Sequence, residues 1–479
     1  MIARSGAPLW LALLACNPEA ELLPAEGHIM LHIDTDAWVP SSTAPSPTEQ
    51  RALFDSLLIE VFLPGEPQPC PTCLHELTLT ADVLETGGSL AIASDGAREG
   101  VRVRLSMYLA AHRHGAVIDP TVSVQLTALL PRFPEEGGIP VPLFLPTDAV
   151  GAPIGTLDAP IEAAVAEPPP SRVRTWPGAQ RLGCADAPRP GEVCIPGGAF
   201  WMGNLRASEN STDPQETGFR LVTLAPFFID AREVTVGDLR NGPGDNPMYI
   251  ALWSGDEGGD DLDDWCSYTL SATGERDSLP MNCIHWAGAV AHCEGRGGTL
   301  PSEAQFEYVA GALEWRDFVW GTDIPGCNDA NWGRAFGVNS GSSGPKTVCT
   351  GFLAPGDIGG PIALPPSPNA AAMEAPRLRD VLLLPTGAVF DLAANLGEWT
   401  RDWFQPKDSD CWRVNASNLF RDPVCELPSA VRSFRGGYHT GGASALLAAE
   451  RHAQLPDTAI NELGFRCVRP AVPAVMEAN

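Results

Sequence analysis

Between Gly27 and about Pro146, apolar and polar residues alternate in short runs. The runs are His28 to Asp34, Leu57 to Leu63, Leu77 to Leu84, Ser89 to Ser94, Val101 to Leu109, Val122 to Leu130 and Val141 to Leu145. In the clearest of them Val101, Val103 and Leu105 alternate with Arg102, Arg104 and Ser106, the two-residue period of a strand with one buried face. Seven such strands, separated by Gly, Pro and Asp turns, predict an N-terminal all-β sandwich over residues 27–150. Residues 151–190 lose the alternation and gain proline, most densely at Pro168-Pro169-Pro170, which predicts a linker.

From 184 to 470 the texture changes again. Ile195 to Gly203 reads as an apolar strand after a Gly-Gly turn, and Phe227 to Thr235 as another. Thr235 is placed to cap a helix begun by Val236-Gly237-Asp238-Leu239. A second helix puts Trp286, Val290 and Cys293 on one face. Ser302-Glu303-Ala304-Gln305 is a capping box in which Ser302 and Gln305 satisfy each other's backbone donors. Phe306, Val309 and Leu313 line the inner side of the helix that follows, and a Pro/Gly-rich stretch from Pro355 to Pro376 reads as a surface insertion.

Length and composition narrow the classes. At about 150 residues per domain, 479 residues suggest a multidomain chain. Apolar residues at 44% supply real cores, while Gly 48 and Pro 46 argue against a helical bundle. A net charge of −28 argues strongly against nucleic acid as a main partner. No Gly-x-Ser-x-Gly elbow, phosphate loop or His-Glu-x-x-His is present. Residues 1–16 read as an export signal: Arg4 in a charged start, an apolar stretch from Leu9 to Ala15, then Leu13-Leu14-Ala15-Cys16, which resembles a lipobox. The expectation is a cell-envelope protein lipid-anchored at Cys16, on the outer membrane or periplasmic face, and touching membrane only through that anchor; the alternative is an ordinary cleaved signal. Setting Cys16 aside leaves twelve of the 13 cysteines, an even number suited to an oxidising compartment. Cys70-Pro71-Thr72-Cys73 has the spacing of a redox pair or half a zinc site, but without a second pair or a βαβ context it reads as a turn-closing disulfide.

Six landmarks then occur in order: Gly197-Gly198-Ala199-Phe200-Trp201-Met202-Gly203, Arg232-Glu233-Val234-Thr235, Leu300-Pro301-Ser302-Glu303-Ala304-Gln305-Phe306-Glu307-Tyr308, Asn395-Leu396-Gly397-Glu398-Trp399-Thr400, Arg435-Gly436-Gly437 and Leu463-Gly464-Phe465-Arg466-Cys467. Through them the C-terminal region resembles the formylglycine-generating enzyme family, the sulfatase-modifying factors. The resemblance implies an irregular α+β fold related to C-type lectins. It also implies structural calcium at the loop Asp391 to Trp399, held by the side chains of Asp391 and Glu398 and the carbonyls of Ala394 and Leu396. Hard carboxylate and carbonyl oxygens are what calcium takes; the alternative is that Glu398 pairs with a nearby arginine. The resemblance further implies a disulfide between Cys293 and Cys467, with the family's second bridge lost at both ends, at Ala310 and near Ala448. The remaining cysteines fall into short local pairs, Cys184 with Cys194, Cys266 with Cys283, Cys327 with Cys349 and Cys411 with Cys425, although twelve cysteines allow many other pairings. Each such loop of ten to twenty residues is worth about 3 kcal/mol in the chain-entropy picture.

Catalysis is where the resemblance breaks. Family enzymes oxidise a substrate cysteine with oxygen at a copper ion held by two thiolates just after the Arg-Gly-Gly turn, and soft thiolates are what Cu(I) selects. Here Gly437 to Arg451 contains no cysteine, which argues against copper. Arg435, His439, Ser444, Arg451 and His452 remain as candidate pocket residues. The expected function is therefore a non-catalytic binding or structural module for an envelope peptide, protein or glycan. The alternative is a metal-dependent oxidoreductase with a His-based iron or copper centre at His439 or His452.

Overall fold

A computed structural model describes residues 11–13, 27–42, 49–93, 96–113, 118–203, 218–243, 247–251, 266–268, 276–326, 329–332, 379–413 and 417–473. Cys16, Cys327 with Cys349, and the insertion from Pro355 to Pro376 lie outside these residues. The chain divides into two compact units, residues 1–180 with 414–419, and residues 181–413 with 420–479.

The first unit contains strands β1 (Leu11–Leu13), β2 (His28–Thr35), β3 (Ser56–Phe62), β4 (Leu74–Thr78), β5 (Ser89–Ala93), β6 (Arg102–Tyr108), β7 (Ser123–Leu129), β8 (Gly138–Leu145) and β9 (Ile161–Glu162). They form a four-stranded sheet in the order β1-β5-β2-β8 and a five-stranded sheet in the order β4-β3-β6-β7-β9. The alternation that predicts these strands is seen in β6, where Val103 and Leu105 are fully buried and Arg102 and Arg104 are half-buried. Arg104 lies opposite Glu60 of β3 and makes a two-pronged ion pair with it at 2.5 and 2.8 Å.

Two expectations change here. The run Leu77 to Leu84 is not one strand: β4 ends at Thr78, and α1 (Ala81–Glu85) follows, with the Thr80 side chain capping the backbone N–H of Val83. Ala81 and Leu84, three apart, turn inward together, so a helical turn buries what a strand would have split between two faces. The proline-rich stretch is not a free linker up to Gln180. Arg174 and Trp176 donate backbone N–H groups to the carbonyls of Ala37 and Asp36, and the buried indole of Trp176 donates to Asp148 at 3.1 Å.

The second unit is built of short strands and three short helices among its described residues. Its elements are β10 (Glu192–Ile195), β11 (Gly198–Met202), β12 (Arg220–Leu224), β13 (Phe227–Asp230), α2 (Val236–Asn241), α3 (Trp286–Gly295), α4 (Glu303–Ala310), β14 (Val381–Leu384), β15 (Gly387–Phe390), β16 (Gly397–Trp403), β17 (Leu419–Arg421), β18 (Arg432–Arg435), β19 (His452–Gln454), β20 (Leu463–Gly464) and β21 (Val468–Pro470). The sheets run β10-β13-β21, β11-β12-β17, β14-β15 and β19-β18-β16-β20. Both expected helix caps form as reciprocal boxes, Thr235 with Asp238 and Ser302 with Gln305. Phe306 and Val309 are buried as expected, but Leu313 reaches the core differently. The helix stops at Ala310, and Ala312 and Leu313 take left-handed backbone angles that fold Leu313 under it.

Candidate functional site

Two buried networks meet the sequence landmarks. The first is the loop between β15 and β16, which turns sharply at Asp391 and Asn395, both with positive φ. Such turns expose backbone donors that need acceptors once buried. Asp380 supplies three of them, accepting from Leu392 and Ala393 at 3.0 and 2.9 Å and from Ala394 at 3.1 Å. Glu233 accepts from the backbone of Leu396 at 3.1 Å and the carboxamide of Asn395 at 2.6 Å. Asn331 donates its own carboxamide to Asn395 at 2.9 Å. Neither Asp380 nor Glu233 stands out in the sequence as a site residue. Glu233 belongs to a family landmark, whereas nothing in the pattern around Asp380 marks it.

Several carboxylates and an arginine gather at this loop. Glu398 is fully buried and accepts from Arg466, Nε lying 2.9 and 2.7 Å from its two oxygens and Nη2 2.6 Å from one of them. Arg466 Nη2 also donates to the carbonyls of Phe390 and Asp391, both at 3.0 Å. Burial raises Glu233 well above the usual carboxylate range, and the charges of Asp391 and Glu398 add to the effect against the pull of Arg466. Burial, with Asp391, also pushes Asp380 up to about 7, against the three backbone donors. Of the donors implied for calcium, Asp391, Ala394, Leu396 and Glu398 share this one loop, but both oxygens of Glu398 face Arg466. The donor set therefore fits calcium only in part, with Glu398 already committed. A cavity of about 200 Å³ opens beside Glu233, lined also by Gly191, Asp230, Arg232, Asp238 and Arg296.

The second network gathers on α4. Glu303 receives Arg451 through Nε and Nη2, both at 2.6 Å, and Arg435 Nε at 3.1 Å. Glu307 receives Arg435 Nη2 at 2.8 Å and the backbone of Gly203 at 2.7 Å. Burial alone would raise Glu303, but Arg451 and Arg435 outweigh it and hold the carboxyl at about 2. Lys407 is buried within electrostatic reach of Glu307.

The candidate pocket residues thus take different places. Arg435 and Arg451 converge on Glu303. His439 is buried with Nδ1 3.2 Å from the carbonyl of Asn395. His452 stacks on Phe434, its ring centre 4.9 Å away, and burial with the charge of Arg435 lowers its pKa to about 4, so the imidazole is neutral. Ser444 is exposed on a short 3₁₀ turn, Ala443–Leu446. From that turn Leu446 and Leu447 enter an apolar cluster with Phe318, Trp332, Ala393 and Ala394.

Cysteines pair as Cys293–Cys467, Cys184–Cys194, Cys266–Cys283, Cys411–Cys425 and Cys70–Cys73 among the described residues. The longest bridge, 174 residues in sequence separation, ties α3 to the residue before β21.

Residues 181–471 match the sulfatase-modifying factor enzyme 1-like domain. The chain is 27% identical over 361 residues to the formylglycine-generating enzyme of Streptomyces coelicolor, covering 65% of this chain and 96% of that one. It is 26% identical over 324 residues to the inactive C-alpha-formylglycine-generating enzyme 2 of Mus musculus, covering 61% and 89%. Among solved structures, PvdO from Pseudomonas aeruginosa is similar at 20% identity and a TM-score of 0.35, across 61% of this chain and 100% of that one.

Proposed function

This chain belongs to the sulfatase-modifying factor family, and from that membership we propose that its family domain is a non-catalytic module that binds a peptide or glycan in the cell envelope. One observation carries the reading. Where the family's copper thiolates follow the Arg-Gly-Gly turn, this chain has no cysteine from Gly437 to Arg451, and it spends that segment on apolar packing through Leu446 and Leu447. In its favour, one relative in mouse carries the name inactive C-alpha-formylglycine-generating enzyme 2. His439 and His452 give little support to a replacement metal centre, since no group of three or more His, Cys, Asp or Glu side chains placed to hold a metal includes either of them among the described residues. The test is incubation with copper, a reductant and a cysteine-containing sulfatase-type peptide, with mass analysis for the aldehyde. No conversion above a metal-free control is expected, and turnover would reverse the reading.

A calcium ion at the Asp391 to Glu398 loop belongs to the same proposal. What supports it is charge: burial raises Glu233, and the charges of Asp391 and Glu398 add to that effect against the pull of Arg466. A cation beside a buried carboxylate raised in this way would favour its charged form. A bound cation would stabilise the domain by mass action, by about 2.7 kcal/mol at a hundredfold excess over its Kd. Chelation is then expected to lower the melting temperature, and Asp391→Asn to remove that response. An unchanged melt would remove the calcium from this loop.

A further inference from the structure

The first unit carries a cysteine pair that the family domain does not account for. Cys70 and Cys73 are bonded across the shortest loop of any disulfide among the described residues, with a sequence separation of 3 against 10, 14, 17 and 174 elsewhere. In the chain-entropy picture the gain from a cross-link grows with the loop it closes, so this bridge contributes least to stability. Backbone contacts make it structurally redundant as well. Cys70 donates its N–H to Val61 at 3.0 Å, Val61 donates to Cys73 at 3.1 Å, and Cys73 donates to Cys70 at 2.9 Å. These bonds pin both ends of the turn to β3 whether or not the sulfurs are joined.

Accessibility is asymmetric. Cys73 is fully buried, while Cys70 is half-buried in a turn whose neighbours Pro67, Gln68, Pro71 and Thr72 are exposed. Beside the pair, Leu74 is 50% exposed at the start of β4, and β4 is an edge strand of its sheet among the described residues. An open strand edge with an apolar side chain suits an extended polypeptide.

We propose that Cys70–Cys73 is a redox-active disulfide that exchanges with a dithiol on a polypeptide partner. A partner thiolate attacks Cys70 Sγ, the Cys70–Cys73 bond breaks, and Cys73 leaves as a thiolate that takes up a proton. The partner's second thiolate then attacks its own sulfur in the mixed disulfide, releasing Cys70. Two electrons and two protons pass to the pair, the partner becomes a disulfide, and no further oxidant is consumed. The turn keeps both thiols in place for re-oxidation.

The full-length protein equilibrated in dithiothreitol redox buffers, then alkylated and peptide-mapped, tests this. Cys70–Cys73 is expected to reach half-reduction at a dithiol-to-disulfide ratio at least tenfold below that of any other bridge, with the melting temperature unchanged. Reduction only together with the other bridges, or a fall in melting temperature when this one opens, overturns the proposal. Trapping gives a second readout: Cys73→Ser is expected to capture at Cys70 a peptide whose single cysteine is presented as a mixed disulfide with thionitrobenzoate, the thionitrobenzoate leaving as thiolate, whereas Cys70→Ser captures none. Equal capture by both variants, or by neither, also overturns it.

Discussion

Lys407 is only 4% exposed, and its ammonium nitrogen meets no hydrogen-bond acceptor. Burial pushes its pKa down to about 7; Glu307 pulls it upward, and Arg451, Arg220 and Arg435 push it further down. Between about 7 and the ordinary lysine value the unfolded chain therefore holds a proton that the folded chain has released. Stability should rise with pH through that window, and below it the full penalty applies. Lys407→Met keeps the length and removes the charge. It is expected to stabilise the domain by a few kcal/mol at neutral pH, since each pH unit between the folded and unfolded values corresponds to about 1.4 kcal/mol. The same change should flatten the pH dependence of the melting temperature. A variant less stable than the parent would show that the amine has a partner. Arg466→Met works the other way. It leaves Glu398 buried without its cation, and the expected loss is about 3–5 kcal/mol in denaturant unfolding. At this scale the sequence is half legible. Glu398 can be picked out as an acid in a tight loop with an arginine as one candidate partner, but 68 residues separate it from Arg466 and no local spacing connects them.

Elements are most legible where the signal is local. The capping boxes at Thr235 and Ser302 lie within four residues each, so the physics that starts those helices is written in the sequence. Leu77 to Leu84 misleads because a buried apolar run fits a strand or a helical turn until Thr80 chooses, and the hydroxyl cap on Val83 decides it. Leu313 illustrates the opposite limit, an apolar residue with helical spacing that reaches the core through a left-handed turn beyond the helix end. The start of α4 matters beyond helix propensity, because it sets Glu303 and Glu307 beneath Arg435 and Arg451. Ser302→Ala removes the acceptor for Gln305 and is expected to cost about 1 kcal/mol in thermal or denaturant unfolding. Glu303→Gln should cost more than that, since it leaves two buried guanidinium groups without their shared carboxylate.

Over the whole molecule, cysteine chemistry, charge and the N-terminal residues bear on where the protein works. Five disulfides among the described residues suit an oxidising compartment, and the bridge of separation 174 would hold the end of the family domain against α3 there. Reaching such a compartment would need an export signal; Leu13-Leu14-Ala15-Cys16 is the proposed segment, and cleavage before Cys16 would remove β1 from the edge of its sheet. A chain of net charge −28 gains nothing from an anionic membrane surface, so any stable attachment would have to come from lipid. Each buried methylene contributes about 0.8 kcal/mol, and more than one acyl chain is needed to hold a protein at a bilayer. Lipid at Cys16 is therefore expected to place the protein in the membrane fraction, released by detergent but not by high salt. Cys16→Ala should shift it to the soluble fraction or leave its signal uncleaved. The mature N-terminus decides between an anchor and a plain cleaved signal: mass analysis should find acylated Cys16 as the first residue, and an unmodified start beyond it would remove the anchor.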